Sequence, residues 1–218
     1  LPLQQLYQEF YTGLQQTGPV EMVAVISGII SVWFSRKESI WVYPTGLINT
    51  ILFIYISVKG HLLGEASVNL YYTIMSLYGW WLWTQKDQVS GDRILHITTN
   101  DSKDWQFQLL FFGIAYGILF GGLTWAKASF APEAIPWADA FASATAYTGM
   151  WGMAKKKVAS WYWWIATNLA SIPLYFVKGY MFTAVQFIIL LLLAIAGLIS
   201  WQKKARQRMQ HSNQNPVV

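Results

Sequence analysis

The sequence has no cysteine and few charges. Without Cys there is no disulfide framework, no thiol nucleophile and no thiolate-held zinc or iron–sulfur site. The three histidines, His61, His96 and His211, are not spaced as ligands, and no metal or cofactor is called for. Charged residues make up 11% of the 218, whereas 55% are hydrophobic and 13 are Trp. A soluble domain carries roughly 25% charged residues, so this chain has too little charge to wet a globule of its size. It begins at Leu1 and not at Met, so residues ahead of it are expected and a cleaved leader is left unread.

In place of charge there are long apolar runs. A helix crossing a hydrocarbon layer about 30 Å thick needs about 17–25 residues. Seven runs qualify, over 20–34, 40–58, 62–83, 107–126, 138–154, 159–177 and 180–201. The first and fifth are short and carry Ser, Thr and Gly. Because the runs are continuously apolar and do not alternate with period two, helices are expected and a barrel is not. Short connectors such as Arg36-Lys37-Glu38 and Lys59-Gly60-His61 fit tight hairpins between neighbouring helices. Pro44 and Pro173 fall inside their runs and are candidate hinges.

The basic residues sort by side. Arg36, Lys37, Lys86, Arg93, Lys103, Lys155, Lys156, Lys157, Lys203, Lys204, Arg206 and Arg208 fall on one side of a seven-span chain, and only Lys59, Lys127 and Lys178 on the other. The positive-inside rule then puts the C-terminus in the cytoplasm and the N-terminus outside. The net charge of +5 is mostly this collar, so no nucleic-acid partner is implied. Ahead of the first span, Leu3, Leu6, Tyr7, Phe10, Tyr11 and Leu14 share one helical face, opposite Gln4, Gln5, Gln8 and Gln15. Such a helix over 1–19 lies in the membrane interface or packs on a neighbouring subunit. The polar tail after Arg208 is expected to be disordered.

The chain also resembles itself. Val58-Lys59-Gly60 recurs as Val177-Lys178-Gly179, and at the same offset of 119 residues Tyr43 meets Tyr162, Asn49 meets Asn168, and Arg36-Lys37 meets Lys155-Lys156. The first three spans (20–83) match the last three (138–201), with 84–106 as a cytoplasmic loop, 107–126 as a lone linker helix and 202–218 as a basic tail. One extra span between two three-helix units restores their orientation, so the copies are parallel. The expected architecture is an all-α membrane protein of seven transmembrane helices in a 3+1+3 order, with its ligand between the repeats.

Polar side chains within the spans mark where that ligand would lie. Asn49 and Asn168 are the middle residues of 40–58 and 159–177, where an amide is costly unless it has a partner or lines a cavity. Trp161, Trp164 and Asn168 share one helix face, continued by Tyr175, and form a stacking wall with an amide beyond it. That wall suits a flat heteroaromatic ring bearing a carboxamide. Asn69, Tyr72, Thr73, Ser76 and Gln186 are candidates for sugar hydroxyls. Trp41, Trp80, Trp81, Trp83, Trp163 and Trp201 read as interface anchors. Glu21, Glu65 and Asp139 lie near the outer span ends, and no carboxylate or His reaches the midplane, which favours facilitated diffusion over proton coupling. No Lys or Arg sits deep in a span, so a nucleoside fits better than a nucleotide. No nucleophile–base pair is present, and an enzyme is not expected.

The run Trp161-Tyr162-Trp163-Trp164 with Asn168 resembles the W-x-x-W-x-x-x-N signature of the PnuC family of vitamin transporters, and the likeness extends to the 3+1+3 layout, the basic inner loops and the V-K-G turn in both halves. The resemblance is to the nicotinamide riboside transporters of Gram-negative bacteria within that family. It implies a homotrimer in the bacterial inner membrane, a fold like a full-length SWEET protein, and a facilitator whose cargo is trapped by cytoplasmic phosphorylation. Trp161 and Trp164 become the W-x-x-W pair and Asn168 the amide contact, with Asn49 inferred from the repeat. Thiamine and riboflavin, also flat vitamins carried within the family, remain open as cargo. The proline symmetry of SWEET proteins is not kept, since the repeat mates of Pro44 and Pro173 are Trp163 and Ile54.

Overall fold

The computed structural model describes residues 3–59, 63–87, 91, 93–127 and 134–214. Within them the chain folds into eight helices: α1 (Leu3–Gln16), α2 (Pro19–Arg36), α3 (Val42–Lys59), α4 (Leu63–Thr84), α5 (Ser102–Lys127), α6 (Pro136–Ala154), α7 (Ser160–Val177) and α8 (Met181–Gln214). Each expected span has its helix. Four of them, α2, α3, α5 and α8, are long and apolar enough to cross a membrane. The other three have comparable length, but α4 and α7 are diluted by Trp, Tyr and Asn, and α6 by Ala, Ser, Thr and Gly.

Local chemistry sets the ends. Pro19 and Pro136 open α2 and α6, where a missing N–H costs nothing. Asp101 caps α5: its carboxylate accepts from the Asp104 N–H at 2.7 Å while Asp104 accepts from the Asp101 N–H at 3.2 Å, a reciprocal cap. Pro44 does not interrupt α3 as expected from its place in the run; it lies in the first turn, where proline is tolerated. Pro173 is inside α7. Residues 209–214, expected to be disordered, continue α8 to Gln214, and the rest of that tail lies outside the described residues.

Six helices close a ring. α2 packs on α3, α3 on α4, α4 on α6, α6 on α7, α7 on α8, and α8 returns to α2. α6 is the most enclosed, its Ala, Thr and Gly side chains being small enough for close approach on several sides. Outside the ring, α5 packs on α6 and α1 on α8, where Phe10 meets Phe182 with ring centroids 5.8 Å apart.

The two halves repeat one another, with a register one residue shorter than the V-K-G turns indicate. Lys37 and Lys155 lie over the rings of Trp33 and Trp151, at 3.7 and 4.3 Å. The Glu38 N–H donates to the Ser35 carbonyl as the Lys156 N–H does to that of Met153. Glu38 and Lys156 have φ of 60° and 51°, and are the non-glycine residues with left-handed backbone among those described. All these pairs are 118 residues apart, the separation of Glu38 from Lys156. In this register Asn49 is equivalent to Thr167, and the equivalent of Asn168 is Thr50. Of the identities at offset 119, Val58-Lys59 and Val177-Lys178 fall at helix C-termini, whereas Tyr43 and Asn168 are buried inside their helices and pair in this register with Trp161 and Thr50.

Candidate functional site

Between the halves, on the inner faces of α4, α6 and α7, aromatic rings gather with polar tips that the protein leaves unbonded. Trp164 lies 6.4 Å from Tyr72, and Tyr72 meets Tyr147 edge-on at 6.1 Å. Tyr71 stacks obliquely on Tyr147 at 4.3 Å, and its hydroxyl donates to the Tyr147 carbonyl at 3.0 Å, tying α4 to α6. The Trp164 indole lies so close to α6 that a Cβ at Gly149 would be 3.2 Å from its Nε1. Tyr175, farther along α7, stacks on Phe187 of α8 at 5.2 Å and is an electrostatic neighbour of Tyr72.

Asn168 lies one turn beyond Trp164 and is 3% exposed. Among the described residues no hydrogen bond reaches its amide, nor the Trp164 indole N–H, the Tyr72 and Tyr175 hydroxyls or the Gln186 amide, which is half-buried on α8. Buried polar groups are bonded in folded proteins to protein, water or ligand. Several such groups around one set of rings can bond something the chain itself does not supply.

Other expected residues are engaged within the fold. The Asn49 amide donates to the Ala24 carbonyl at 2.7 Å, in a notch that exists because position 28 is glycine: a Cβ there would lie 2.6 Å from Asn49 Nδ2. Asn69 donates to the Glu65 carbonyl of its own helix at 2.9 Å, and Thr73 donates to Thr50 across α3 and α4 at 2.8 Å. Ser76 is buried near Gly46. Trp161, 1% exposed, is enclosed among Trp201, Val158 and Ala194, and in this conformation presents no open face. Trp83 and Trp201, expected at the membrane interface, are buried in the same cluster, because Gly79 and Gly197 open room beside it.

Tyr71, Tyr147 and Gly149 are site residues that sequence reasoning passed over. Tyr147 shares α6 with Trp137, Phe141 and Trp151, so nothing in the sequence set it apart from them.

A ring of helices, four of the described helices being long and apolar enough to cross a membrane, with unbonded aromatic and amide groups on its α4, α6 and α7 side, defines an all-helical protein of membrane type. The chain belongs to the nicotinamide mononucleotide transporter family, whose model matches residues 18–203. It is 24% identical over 208 residues to the nicotinamide riboside transporter PnuC of Escherichia coli, covering 87% of each chain. It is also 24% identical over 193 residues to the riboflavin/roseoflavin transporter RibM of Streptomyces davaonensis, covering 86% of each. Among solved structures, the crystal structure of the vitamin B3 transporter PnuC shares the fold, with a TM-score of 0.69 and 20% identity over 94% of this chain and 90% of that one.

Proposed function

We propose that the protein carries nicotinamide riboside across the bacterial inner membrane by facilitated diffusion. The observation that carries this reading is the set of unbonded tips at and next to Trp164: an indole face for the pyridinium, the Asn168 amide one turn on for the carboxamide, and the Tyr72 hydroxyl for the ribose, with Tyr175 and Gln186 as proposed further ribose contacts. A cation over an aromatic face gains about 0.5–2 kcal/mol, and an amide pairs with a carboxamide in both directions. Trp161 and Asn49 stand behind this wall, the first backing Trp164 from the next turn and the second joining α3 to α2.

In this reading α2 to α4 and α6 to α8 are parallel repeats joined by α5, seven spans in a 3+1+3, SWEET-like order. The N-terminus faces the periplasm and the basic connectors Arg36–Trp41 and Lys155–Ala159 face the cytoplasm. The copies associate as a homotrimer. The family is described by the mononucleotide, but the deep cation a phosphate needs is lacking: buried Lys156 is already paired with Glu38 at 2.7 Å. The riboside is therefore the better cargo. Riboflavin is the second reading, favoured by the equal identity to RibM.

Titration calorimetry of the purified protein tests this. Nicotinamide riboside is expected to bind saturably, with thiamine and riboflavin silent, and the mononucleotide weaker by about tenfold or more. Trp164→Ala and Asn168→Ala should each weaken riboside binding by about tenfold while keeping the elution volume. Riboflavin binding alone would keep the fold and change the cargo; variants that bind as tightly as the parent would move the site elsewhere.

A further inference from the structure

At the end of the ring nearest the two connectors, the interior is shut by groups that occur in equivalent pairs. Tyr43 of α3 and Trp161 of α7 each press on a glycine of the third helix of their own half. A Cβ at Gly79 would lie 2.5 Å from the Tyr43 hydroxyl, and one at Gly197 2.5 Å from the Trp161 ring. Trp83 meets Tyr43 edge-on at 5.2 Å, Trp201 meets Trp161 edge-on at 5.5 Å, and the two tryptophans join the pairs at 6.1 Å. Each then reaches across the halves. The Trp83 N–H donates to the Ala154 carbonyl at the end of α6, and the Trp201 N–H to the Ser35 carbonyl near the end of α2. The first satisfies a carbonyl that a helix terminus leaves open, and the second joins the Glu38 N–H on the Ser35 carbonyl.

The two connectors close over this quartet. Lys156, 0% exposed, donates to Glu38 at 2.7 Å and to the Leu95 carbonyl at 3.0 Å, and its ammonium lies 4.6 Å from the centre of the Trp83 ring. Lys204 of α8 holds the other Glu38 oxygen at 3.0 Å. Yet the closed arrangement is not fully satisfied. The Tyr43 hydroxyl, the Ser160 hydroxyl and the Trp161 N–H are buried with no hydrogen-bond partner. Burial without a partner is unfavourable, so water entering here would relieve three groups while parting the ion pair would cost one. Opposed terms of this kind make an element with two states.

We propose that the Tyr43–Trp83–Trp161–Trp201 quartet, latched by Glu38 and Lys156, is the gate on the connector side of the ligand site, and that transport requires the latch to part. The proposal rests on the transport reading given above. Trp164 is one turn from Trp161 on α7, so a ligand seated on the first ring acts on the helix that carries the second.

The absence of native cysteine makes the test clean. In Glu38→Cys/Lys156→Cys protein reconstituted in liposomes, a flexible bis-thiosulfonate linker replaces the ion pair with a covalent tie. Riboside flux should fall by about tenfold or more on linking and return on reduction, while calorimetric riboside binding persists. Flux unchanged with linking complete, or flux missing from the reduced, folded protein, would overturn the gate. A second measurement needs neither ligand nor that variant. Ser160→Cys places a thiol behind the quartet, and its alkylation should be about tenfold faster when Glu38→Gln is added. Equal labelling rates would also overturn it. A parent protein that binds no riboside, but whose Ser160→Cys labelling responds to Glu38→Gln, would reject the cargo and keep the gate.

Discussion

At the residue scale, two glycines do in both halves what no larger residue could. Gly79 and Gly197 admit the Tyr43 and Trp161 rings, and the space they leave is already filled. Gly79→Ala and Gly197→Ala should each destabilise by about 1–3 kcal/mol, the usual cost of overpacking around rigid rings, measured as a drop in thermal midpoint. Gly91→Ala serves as the contrast: it has open space around it but a φ of 71°, so any loss there reflects backbone and not crowding. The ligand layer is different because it is not doubled. The equivalents of Trp164, Tyr72 and Gln186 in the register of 118 are Gly46, Leu190 and Val68. The connector-side layer keeps its two-fold character, and the layer around Trp164, where the riboside is proposed to sit, does not. A molecule with a ring at one end and a sugar at the other needs such an asymmetric wall.

At the scale of elements, the helices were legible in the sequence and their partners were not. Apolar runs end where charge begins, so the expected 40–58 became α3 (Val42–Lys59) and 180–201 began within a residue of α8. Register between the halves was misread by one residue, since a handful of identities fixes an offset less well than the paired contacts of Tyr43 with Gly79 and Trp161 with Gly197, which only the structure shows. Likewise the i, i+3, i+7 face of Trp161, Trp164 and Asn168 is real, but spacing on one helix cannot reveal Gly197 on another, which draws Trp161 into the core. α5 is the least covered of the four helices long and apolar enough to cross a membrane. Its apolar window has none of its residues buried, and Gly113, Gly117 and Gly121 lie at four-residue spacing with nothing within 4 Å. Small residues at that spacing let helices approach closely in lipid. In the homotrimer reading this is the subunit contact, and Gly117→Leu should lower the oligomer mass in detergent toward one chain while riboside binding persists. Light scattering of the detergent complex reads the outcome.

For the whole molecule, the Glu38–Lys156 pair is one of the contacts through which stability at the connector end should depend on pH. Burial pushes the Glu38 carboxyl up, but its hydrogen bond and charge contact with Lys156, followed by those with Lys204, outweigh burial and hold it below the usual carboxylate value of 4.5. A group whose folded-state value is depressed contributes stability above its unfolded value and loses it as pH falls through the folded one. The thermal midpoint should therefore drop on acidification below about pH 4.5, and the part of that slope due to Glu38 should vanish in Glu38→Gln. At neutral pH, Glu38→Gln leaves a buried ammonium without its anion and should cost about 3–5 kcal/mol, whereas Glu38→Gln/Lys156→Met should recover most of the loss. Equal midpoints for the single and double variants would show that the unpaired ammonium is not what costs stability here.

Glu38 and Lys156 occupy equivalent positions and touch, so they sit where the two halves face each other. Two identical copies of either half would bring glutamate against glutamate or lysine against lysine there, and like charges in a closed interior repel. The bond exists because the two equivalent positions carry opposite charges. A dimer assembled from either half alone would lack it. The latch therefore belongs to the difference between the halves and not to what they share.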